Sequence, residues 1–369
     1  MSYIHRSVSS PKKFIIGQHV IKDLHRYIKD FGDNAFLVVD EFFMDFIQND
    51  ISPCLSDNGI ESTAEKFGGE SSHKEIQRLK AISDAASCNV IVGIGGGKTL
   101  DSAKAVAYYS KKPVIIVPTI ASTDAPCTAL SVIYKENGEF EEYLFLPQNP
   151  DAVLADTAII VKAPVRFFAA GVGDALATYF EARACVQSDG LNLILQKPTY
   201  TGLGLARMCY DVLNDNIEAA MDAVRSQVAT PAFERTIEAL IYLSGVGAES
   251  GGLAAAHAVN NGMSLVPDLH RTQHGEKVVF GLLTQLVLEG ADKIEIDNVI
   301  RIIKTAGLPL TLKDFKVEKW DEAVWRRVAE MACAENDTMK NMPRSVNAED
   351  VYNAMVAATS LAERYKSQS

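Results

Sequence analysis

Short apolar runs that alternate with amphipathic stretches dominate the first 163 residues of this 369-residue chain. The runs at 34–39 and 90–94 are long enough for buried strands, and the stretch 73–86 spaces its apolar residues for one helical face. Strands that alternate with such helices build a parallel sheet covered on both faces. Ligands of these sheets bind beyond the carboxyl ends of the strands. We therefore expect an α/β, Rossmann-like domain with a ligand site along one edge of a parallel sheet.

A hairpin is expected within this first half. The pair Asn137-Gly138 lies between the apolar runs 129–134 and 141–146, and this arrangement predicts two antiparallel strands joined by a tight turn. The remaining strands of the first half are predicted over residues 13–17, 34–39, 61–67, 90–94, 113–117 and 153–161.

The character of the sequence changes at Pro164. Beyond it the strand signals end, and alanine-rich helical periodicity continues to the end of the chain. We therefore expect an all-α domain to follow the α/β domain. The two domains are predicted to cover residues 1–163 and 164–369.

Within the second half, a helix is predicted to begin at Asp174, directly after a turn at residues 171–173 that contains two glycines. Two separate helices are predicted over residues 200–214 and 217–228.

Three consecutive glycines, Gly95, Gly96 and Gly97, separate the predicted strand 90–94 from a helical pattern over 99–109. This order places bare backbone N–H groups at a helix N-terminus, where they bind anions such as phosphate. Lys98 adds a positive charge. The stretch is not the dinucleotide fingerprint Gly-x-Gly-x-x-Gly, because Lys98 stands at the third glycine, nor a Walker loop. A tight turn without a ligand is the alternative.

Polar residues follow two of the other predicted strands. Asp40 ends the strand 34–39, where a carboxylate can accept hydrogen bonds from a ribose and repel a 2′-phosphate. A solvated loop aspartate is the alternative for this residue. The loop 118–126 is dense in hydroxyl groups and contains Asp124. Both positions are expected at the ligand-binding edge of the sheet.

A second group of chemically active residues lies in the helical half. His257, His270 and His274 fall within one 18-residue window, although the chain has only seven histidines. Asp174 with two of these histidines forms a workable set of zinc ligands and leaves one coordination position for water or substrate. The alternative is that they are packed histidines of the helical core.

Composition narrows the classes of partner. The net charge of −11 argues against nucleic acid and anionic membrane surfaces, and no apolar run reaches about 20 residues. Six scattered cysteines without a Cys-x-x-Cys pair are typical of a reducing cytosol. The first residues show no signal-peptide pattern. We therefore expect a cytoplasmic protein.

Four motifs together resemble the glycerol dehydrogenase branch of the iron-containing alcohol dehydrogenase family, and the similarity runs from Ser10 to about Arg364. The resemblance implies a dehydroquinate synthase-like fold, in which a Rossmann-like domain precedes a helical domain. The motifs are Gly95-Gly-Gly-Lys98-x-x-Asp101-x-Ala-Lys104, Pro118-Thr-Ile-Ala-Ser-Thr-Asp-Ala-Pro126, Gly173-Asp-Ala-Leu-Ala177 and His274-Gly-Glu276.

The resemblance implies NAD-dependent oxidation of a vicinal diol, glycerol, to dihydroxyacetone at a divalent metal. The implied metal ligands, which also contact the substrate, are Asp174, His257 and His274. Asp124 matches the carboxylate that contacts the substrate hydroxyls, so Asp124 and His274 are the implied catalytic residues. The implied nucleotide-binding residues are Asp40, Gly95, Gly96, Gly97, Lys98, Thr119, Ser122, Thr128, Leu130 and Tyr134.

Departures from the family pattern bear on the metal and the substrate. Iron-binding relatives carry a further histidine four residues after the aspartate, where this chain has Thr178, so zinc is expected. Asn260 stands where related chains often carry histidine, and could alter diol preference or proton relay. His270 could pass a proton outward, or be a surface residue.

Other reactions and assembly states are compatible with the resemblance. The diol could be 1,2-propanediol or 2,3-butanediol, and a hydroxyketone is a further alternative. A lyase like 3-dehydroquinate synthase is the rival in another reaction class, but it needs a cluster of basic residues that the helical half does not show. Because the family forms rings of several subunits, the resemblance also implies a homo-oligomer, with an octamer as one expected form.

Overall fold

A six-stranded parallel sheet forms the N-terminal part of the computed structural model, which describes residues 5–367. The strand order is β1-β8-β5-β4-β2-β3, and β6 and β7 form a separate antiparallel hairpin. The parallel sheet and the hairpin predicted from the sequence are therefore confirmed. The strands are β1 (Phe14–Gly17), β2 (Asn34–Val39), β3 (Glu61–Lys66), β4 (Val90–Gly95), β5 (Val114–Pro118), β6 (Leu130–Tyr134), β7 (Phe140–Phe145) and β8 (Ala152–Asp156).

The sheet is buried on both faces, and strand β4 shows how its sequence achieves this. Val90, Val92 and Ile94 point to one side and pack against helices that precede β3. Ile91 points to the other side and joins the main core of the molecule. Since side chains of a strand alternate between faces, a continuous apolar run is what a doubly covered strand requires.

Strands β2 and β4 are neighbours whose chains leave in opposite directions, because β2 leads to β3 on one side and β4 leads to β5 on the other. The carboxyl ends of these two strands therefore border a topological switch point. In open parallel sheets such a point is a crevice where ligands bind. The fold thus places its ligand crevice between the end of β2 and the end of β4.

Helices cover the sheet and form nearly all of the chain after Pro164. Those of the N-terminal part are α1 (Leu24–Ile28), α2 (Met44–Phe46), α3 (Ser52–Asp57), α4 (His73–Ala85), α5 (Gly97–Ser110) and α6 (Thr157–Ile160). Those of the helical region are α7 (Val165–Gln187), α8 (Tyr200–Ser226), α9 (Pro231–Glu238), α10 (Ser244–Gly251), α11 (Ala255–Gly262), α12 (His274–Glu289), α13 (Lys293–Ala306), α14 (Glu322–Ala332) and α15 (Ala348–Ser367). The short 3₁₀ or π segments are Val20–Asp23, Glu41–Phe43, Ile47–Ile51, Ala125–Cys127, Ala239–Leu243, Met263–Leu265, Pro267–Leu269 and Thr338–Asn341.

The prediction of a glycine turn before Asp174 was wrong. Helix α7 begins at Val165 and passes through Gly171 and Gly173 without a break. These glycines serve close packing, because a Cβ atom added at Gly171 would lie 2.0 Å from the carbonyl oxygen of Ala121. The glycines therefore bring α7 against the loop that follows β5.

Two further boundaries differ from the sequence prediction. The segments 200–214 and 217–228 form the single helix α8, because Asn214 to Asn216 contain no glycine or proline and the apolar face continues through Leu213 and Ile217. The predicted strand 153–161 ends at Asp156, whose carboxylate accepts hydrogen bonds from the first turn of α6 and so starts a helix there.

No helix within residues 5–367 is both long and apolar enough to cross a lipid bilayer.

Candidate metal centre and nucleotide crevice

Asp174 lies in the middle of α7 at a point where the backbone of α12 touches that helix. A Cβ atom added at Gly275 would lie 1.8 Å from the carbonyl oxygen of Ala170 and 2.8 Å from the backbone nitrogen of Asp174. Only a glycine permits such an approach. His274 precedes Gly275 as the first residue of α12, so the close packing brings its imidazole beside Asp174.

Asp174, His257 and His274 form one cluster. Oδ1 of Asp174 lies 3.4 Å from Nε2 of His257 and 3.2 Å from Nε2 of His274, and the two nitrogens are 3.4 Å apart. Apart from these two rings, no donor among the described residues reaches Oδ1 of Asp174. One carboxylate oxygen and two imidazole nitrogens that meet at one point are a donor set that suits zinc, with a position left open. The three residues therefore fit a metal ion.

The cluster opens to solvent on one side only. The side chain of Asp174 is 3% exposed and that of His257 is 14% exposed, whereas that of His274 is 40% exposed. Burial raises the pKa of Asp174, but the charge of His274 and the hydrogen bond from His257 outweigh it, so the pKa lies below its usual value. The carboxylate is thus held ionised, and a small molecule can approach from the side of His274.

Asp124 lies beside this cluster. Its backbone N–H donates to Oδ2 of Asp174 at 3.3 Å, and its own Oδ2 accepts from the hydroxyl of Ser244 at 2.9 Å. Burial raises the pKa of Asp124 to about 7, and the negative charge of Asp174 adds to the effect. The hydroxyl of Thr178 lies 2.9 Å from that of Ser244. The position four residues after Asp174, where iron-binding relatives were expected to carry a histidine, is therefore occupied by a threonine that bonds to a serine.

Two side chains contact the imidazole ligands from behind. Glu181 is fully buried, and its Oε2 lies 2.5 Å from Nδ1 of His257. The side-chain amide nitrogen of Asn260 lies 3.4 Å from Nδ1 of His274. The sequence prediction missed Glu181. Its position seven residues after Asp174, which is about two helical turns, was the available signal.

The crevice between β2 and β4 is bordered by Asp40 and by Gly95 to Gly97, four of the residues that were predicted to bind a nucleotide. The backbone N–H of Asp40, at the end of β2, donates to the carbonyl of Ile94 in β4 at 2.9 Å. Helix α5 starts from Gly96, and no side chain caps its first turn. The 14-residue helix therefore presents its N-terminus at the crevice without a side-chain cap, and the site fits a phosphate group there.

Lys98 lies at the side of this helix N-terminus. Its ammonium is 2.7 Å from Oε2 of Glu70 and 4.7 Å from the ring centre of Tyr134. The ammonium group at the edge of the crevice is thus held by an ion pair with a carboxylate and by a cation–π contact with an aromatic ring.

A buried lysine positions Thr128 and the hairpin strand β6 that follows it, which carries Leu130 and Tyr134. Lys104 on α5 donates to the backbone carbonyls of Ala125, Thr128 and Leu130. Its charge is balanced by Asp101, whose Oδ1 lies 3.0 Å away. Asp101 and Lys104 belong to the glycine motif, and the structure assigns them to holding the hairpin against α5.

One loop joins the two clusters. At its start, the N–H of Thr119 donates to the carbonyl of Gly95 at 3.0 Å, and at its end Asp124 bonds to Asp174. Ser122 is half-buried between these ends. The crevice of the sheet and the metal cluster are therefore separated by only a few residues of one loop. His270 is exposed after the turn Pro267–Leu269 and is not part of the three-residue cluster.

Known proteins are similar to this chain in sequence and in fold. Residues 11–157 match the model of the iron-containing alcohol dehydrogenase family. The chain is 50% identical to the glycerol dehydrogenase of Escherichia coli O6:H1, with 98% of each chain covered. It is 48% identical to that of Pseudomonas putida, over 98% of this chain and 99% of the relative. The crystal structure of glycerol dehydrogenase from Schizosaccharomyces pombe superposes with a TM-score of 0.93 at 35% identity, covering 99% of this chain and 93% of that one.

Proposed function

Because the chain belongs to the glycerol dehydrogenase branch of the iron-containing alcohol dehydrogenase family, we propose that it oxidises glycerol to dihydroxyacetone with NAD at a zinc ion. Membership of this family makes it an oxidoreductase. The observation that carries the proposal is the loop from Thr119 to Asp124, which connects the crevice at Gly95 to the cluster around Asp174. A nucleotide in the crevice and a small polyol at the cluster would meet across this loop.

Each side chain of the cluster has a role in this proposal. Asp174, His257 and His274 would hold the zinc ion. Zinc supplies Lewis acidity toward an alcohol and NAD supplies the hydride acceptor, which together are what oxidation of a secondary alcohol needs. The exposed side of His274 leaves room for the diol. Because the ligands come from α7, α11 and α12, three rigid helices fix the geometry.

Asp124 is proposed to orient the diol. Its Oδ2 is engaged by Ser244, and its backbone N–H is engaged by Asp174, so the carboxyl group is held at the edge of the cluster. A carboxyl group at this place can accept a hydrogen bond from a substrate hydroxyl. It therefore selects substrates that carry a second hydroxyl beside the one being oxidised.

Zinc is proposed in preference to iron because of Thr178. This residue lies one helical turn after Asp174, where iron-binding relatives were expected to carry a histidine, and its hydroxyl is bonded to Ser244. Three protein ligands with an open fourth position are the usual arrangement of catalytic zinc.

We also propose a division of the chain into a nucleotide-binding domain, residues 1–163, and a metal- and substrate-binding domain, residues 164–369. The strands lie before Pro164, and the three proposed metal ligands lie after it. The proposed reaction would then occur between the two.

Asp40 is proposed to select NAD over NADP. Its carboxylate stays at the end of β2 by accepting from the N–H of Phe42 at 3.2 Å, where it would repel a 2′-phosphate. Replacing Asp40 with serine keeps a residue that can cap the following turn but removes the charge. We expect the ratio of kcat/KM for NAD to that for NADP to fall at least about tenfold, or ~1.4 kcal/mol. Asp45→Ser, at an exposed position of α2, is the control and should leave the ratio unchanged. An unchanged ratio in Asp40→Ser would contradict the role given to Asp40.

A panel of polyols and ketones tests the proposed reaction directly. The protein is assayed with glycerol, 1,2-propanediol, 2,3-butanediol and dihydroxyacetone, each with NAD(H) and with NADP(H), before and after treatment with a chelator. We expect the highest kcat/KM with glycerol and NAD, loss of activity on chelation, and recovery when Zn²⁺ is restored.

Two other outcomes would change the proposal. A higher kcat/KM with 2,3-butanediol or 1,2-propanediol would move the assignment to another vicinal diol. Such a difference can be small, since one methylene in a pocket changes specificity by only about 10- to 200-fold. Activity that survives complete removal of the metal would refute the zinc site.

A further inference from the structure

We propose that Glu181 sets the tautomer of His257 and thereby controls how tightly the protein binds its metal ion. This inference rests on the metal site of the proposed function. Glu181 and Asp174 lie on the same face of α7, and both point toward α11, which carries His257. Glu181 acts through His257, so it is a positioning residue.

Three donors converge on the carboxylate of Glu181. Its Oε1 accepts from the backbone N–H of Ala254 at 2.8 Å and from that of His257 at 2.9 Å. Its Oε2 lies 2.5 Å from Nδ1 of the His257 ring. A carboxylate buried this completely is costly unless its oxygens are engaged, and here they are engaged by groups around the start of α11.

The ring contact determines which nitrogen is free for the metal. A carboxylate oxygen can only accept, so Nδ1 must carry the proton and donate it to Oε2. In the neutral ring Nε2 then has a lone pair, and Nε2 is the atom that faces Asp174 and His274. A buried carboxylate behind a histidine ligand is a known way to hold the ring and raise its basicity.

The second histidine is held differently. Nδ1 of His274 faces the amide of Asn260 at 3.4 Å, and this partner is neutral and more distant. The orientation of His274 is therefore less strongly imposed than that of His257. We infer that Glu181 is the stronger of the two controls on metal affinity.

Glu181→Gln separates this role from a purely structural one. The glutamine Oε1 can still accept from the N–H groups of Ala254 and His257, so the start of α11 keeps both bonds. Its amide NH₂ then faces Nδ1 and donates to it. The ring proton must move to Nε2, where it occupies the lone pair that the metal needs.

Zinc affinity is the readout. The full-length protein is stripped of metal, and the dissociation constant for Zn²⁺ is measured by competition with a chromogenic chelator. We expect Glu181→Gln to bind Zn²⁺ about 10- to 100-fold more weakly than the unsubstituted protein. Glu289→Gln is the matched control, because this carboxylate on α12 pairs with Arg183 and Gln285, and it should leave the affinity unchanged.

The outcomes are distinct. Equal affinity of Glu181→Gln and the unsubstituted protein would overturn the role of Glu181 and leave the metal site intact. An unsubstituted protein that binds no Zn²⁺ would overturn the metal site itself. If Glu181→Gln does not fold, Glu181→Asp carries the test, because it keeps a carboxylate but withdraws it from Nδ1. Weaker Zn²⁺ binding by that variant supports the proposal, and unchanged binding overturns it.

Discussion

Replacing His274 with alanine is expected to abolish the dehydrogenase activity and the zinc content of the protein together. The substitution removes one of three ligands that meet at Oδ1 of Asp174, and a carboxylate with a single imidazole is a poor site for zinc. Lewis-acid activation is worth several kcal/mol, so kcat should fall at least about a thousandfold, or ~4 kcal/mol. Steady-state kinetics and elemental analysis of the same preparation measure both effects.

A control separates loss of the metal from loss of the fold. His25→Ala changes a half-buried histidine of α1, far from the helical region in sequence, and should retain both activity and zinc. Full activity in His274→Ala would refute the site. Normal zinc content with no activity would show that His274 acts on the substrate and not as a metal ligand.

Replacing Gly275 with alanine is expected to be strongly destabilising. The new Cβ would lie 1.8 Å from the carbonyl oxygen of Ala170, so α7 and α12 would have to separate. Overpacking a core typically costs about 1–3 kcal/mol, and a clash with backbone should reach the upper end of that range or exceed it. Because the two helices carry Asp174 and His274, zinc affinity should fall as well. Denaturant unfolding of the zinc-loaded and metal-free protein measures both losses.

Gly204 provides the matched control for this substitution. It lies in α8 at an exposed position where an added Cβ has no neighbour within 4 Å. Gly204→Ala should therefore raise the free energy of unfolding by about 0.5–1 kcal/mol, as expected for an alanine in a helix interior. If Gly275→Ala were no more destabilising than Gly204→Ala, the two helices would not be in the close contact described above.

The N-terminal sheet could be predicted because its signals are local. Apart from β3, each parallel strand is a short apolar run with a glycine, an aspartate or a turn at its end, and the hairpin has its Asn137-Gly138 pair. Burial on both faces makes such a run continuous, and a continuous run is visible in the sequence alone. The order of the strands is set by long-range packing and was not predicted.

The glycines of the helical region misled the prediction, because a glycine in a sequence has two opposite meanings. It can end a helix, or it can let another segment of the chain touch the helix. Gly171 and Gly275 do the second, and the atoms they approach belong to Ala121 and Ala170. The approach of Gly171 to Ala121 lies between segments about fifty residues apart, and no local pattern reports it.

From its residues alone the sequence left the cluster as one of two alternatives, and the resemblance to a family selected its three ligands. Asp174 and His274 are 100 residues apart in the chain, and their meeting depends on how α7 and α12 cross. In the short motif at 274–276, each residue has its own role where α12 crosses α7. His274 enters the cluster, Gly275 permits the contact, and Glu276 bonds to Arg166 on α7 and to the N–H of Gln273. Glu181 was missed because most glutamates in helices are solvated, and its only signal was the spacing of seven residues from Asp174.

Anomalous diffraction at the zinc absorption edge, from crystals grown with NAD, tests the central claim most directly. We predict one peak bonded to Oδ1 of Asp174 and to Nε2 of both His257 and His274, with the nicotinamide of NAD next to it and the adenosine end near Asp40. An active protein whose crystals show no peak at these three atoms, or show the dinucleotide outside the crevice between β2 and β4, would contradict it.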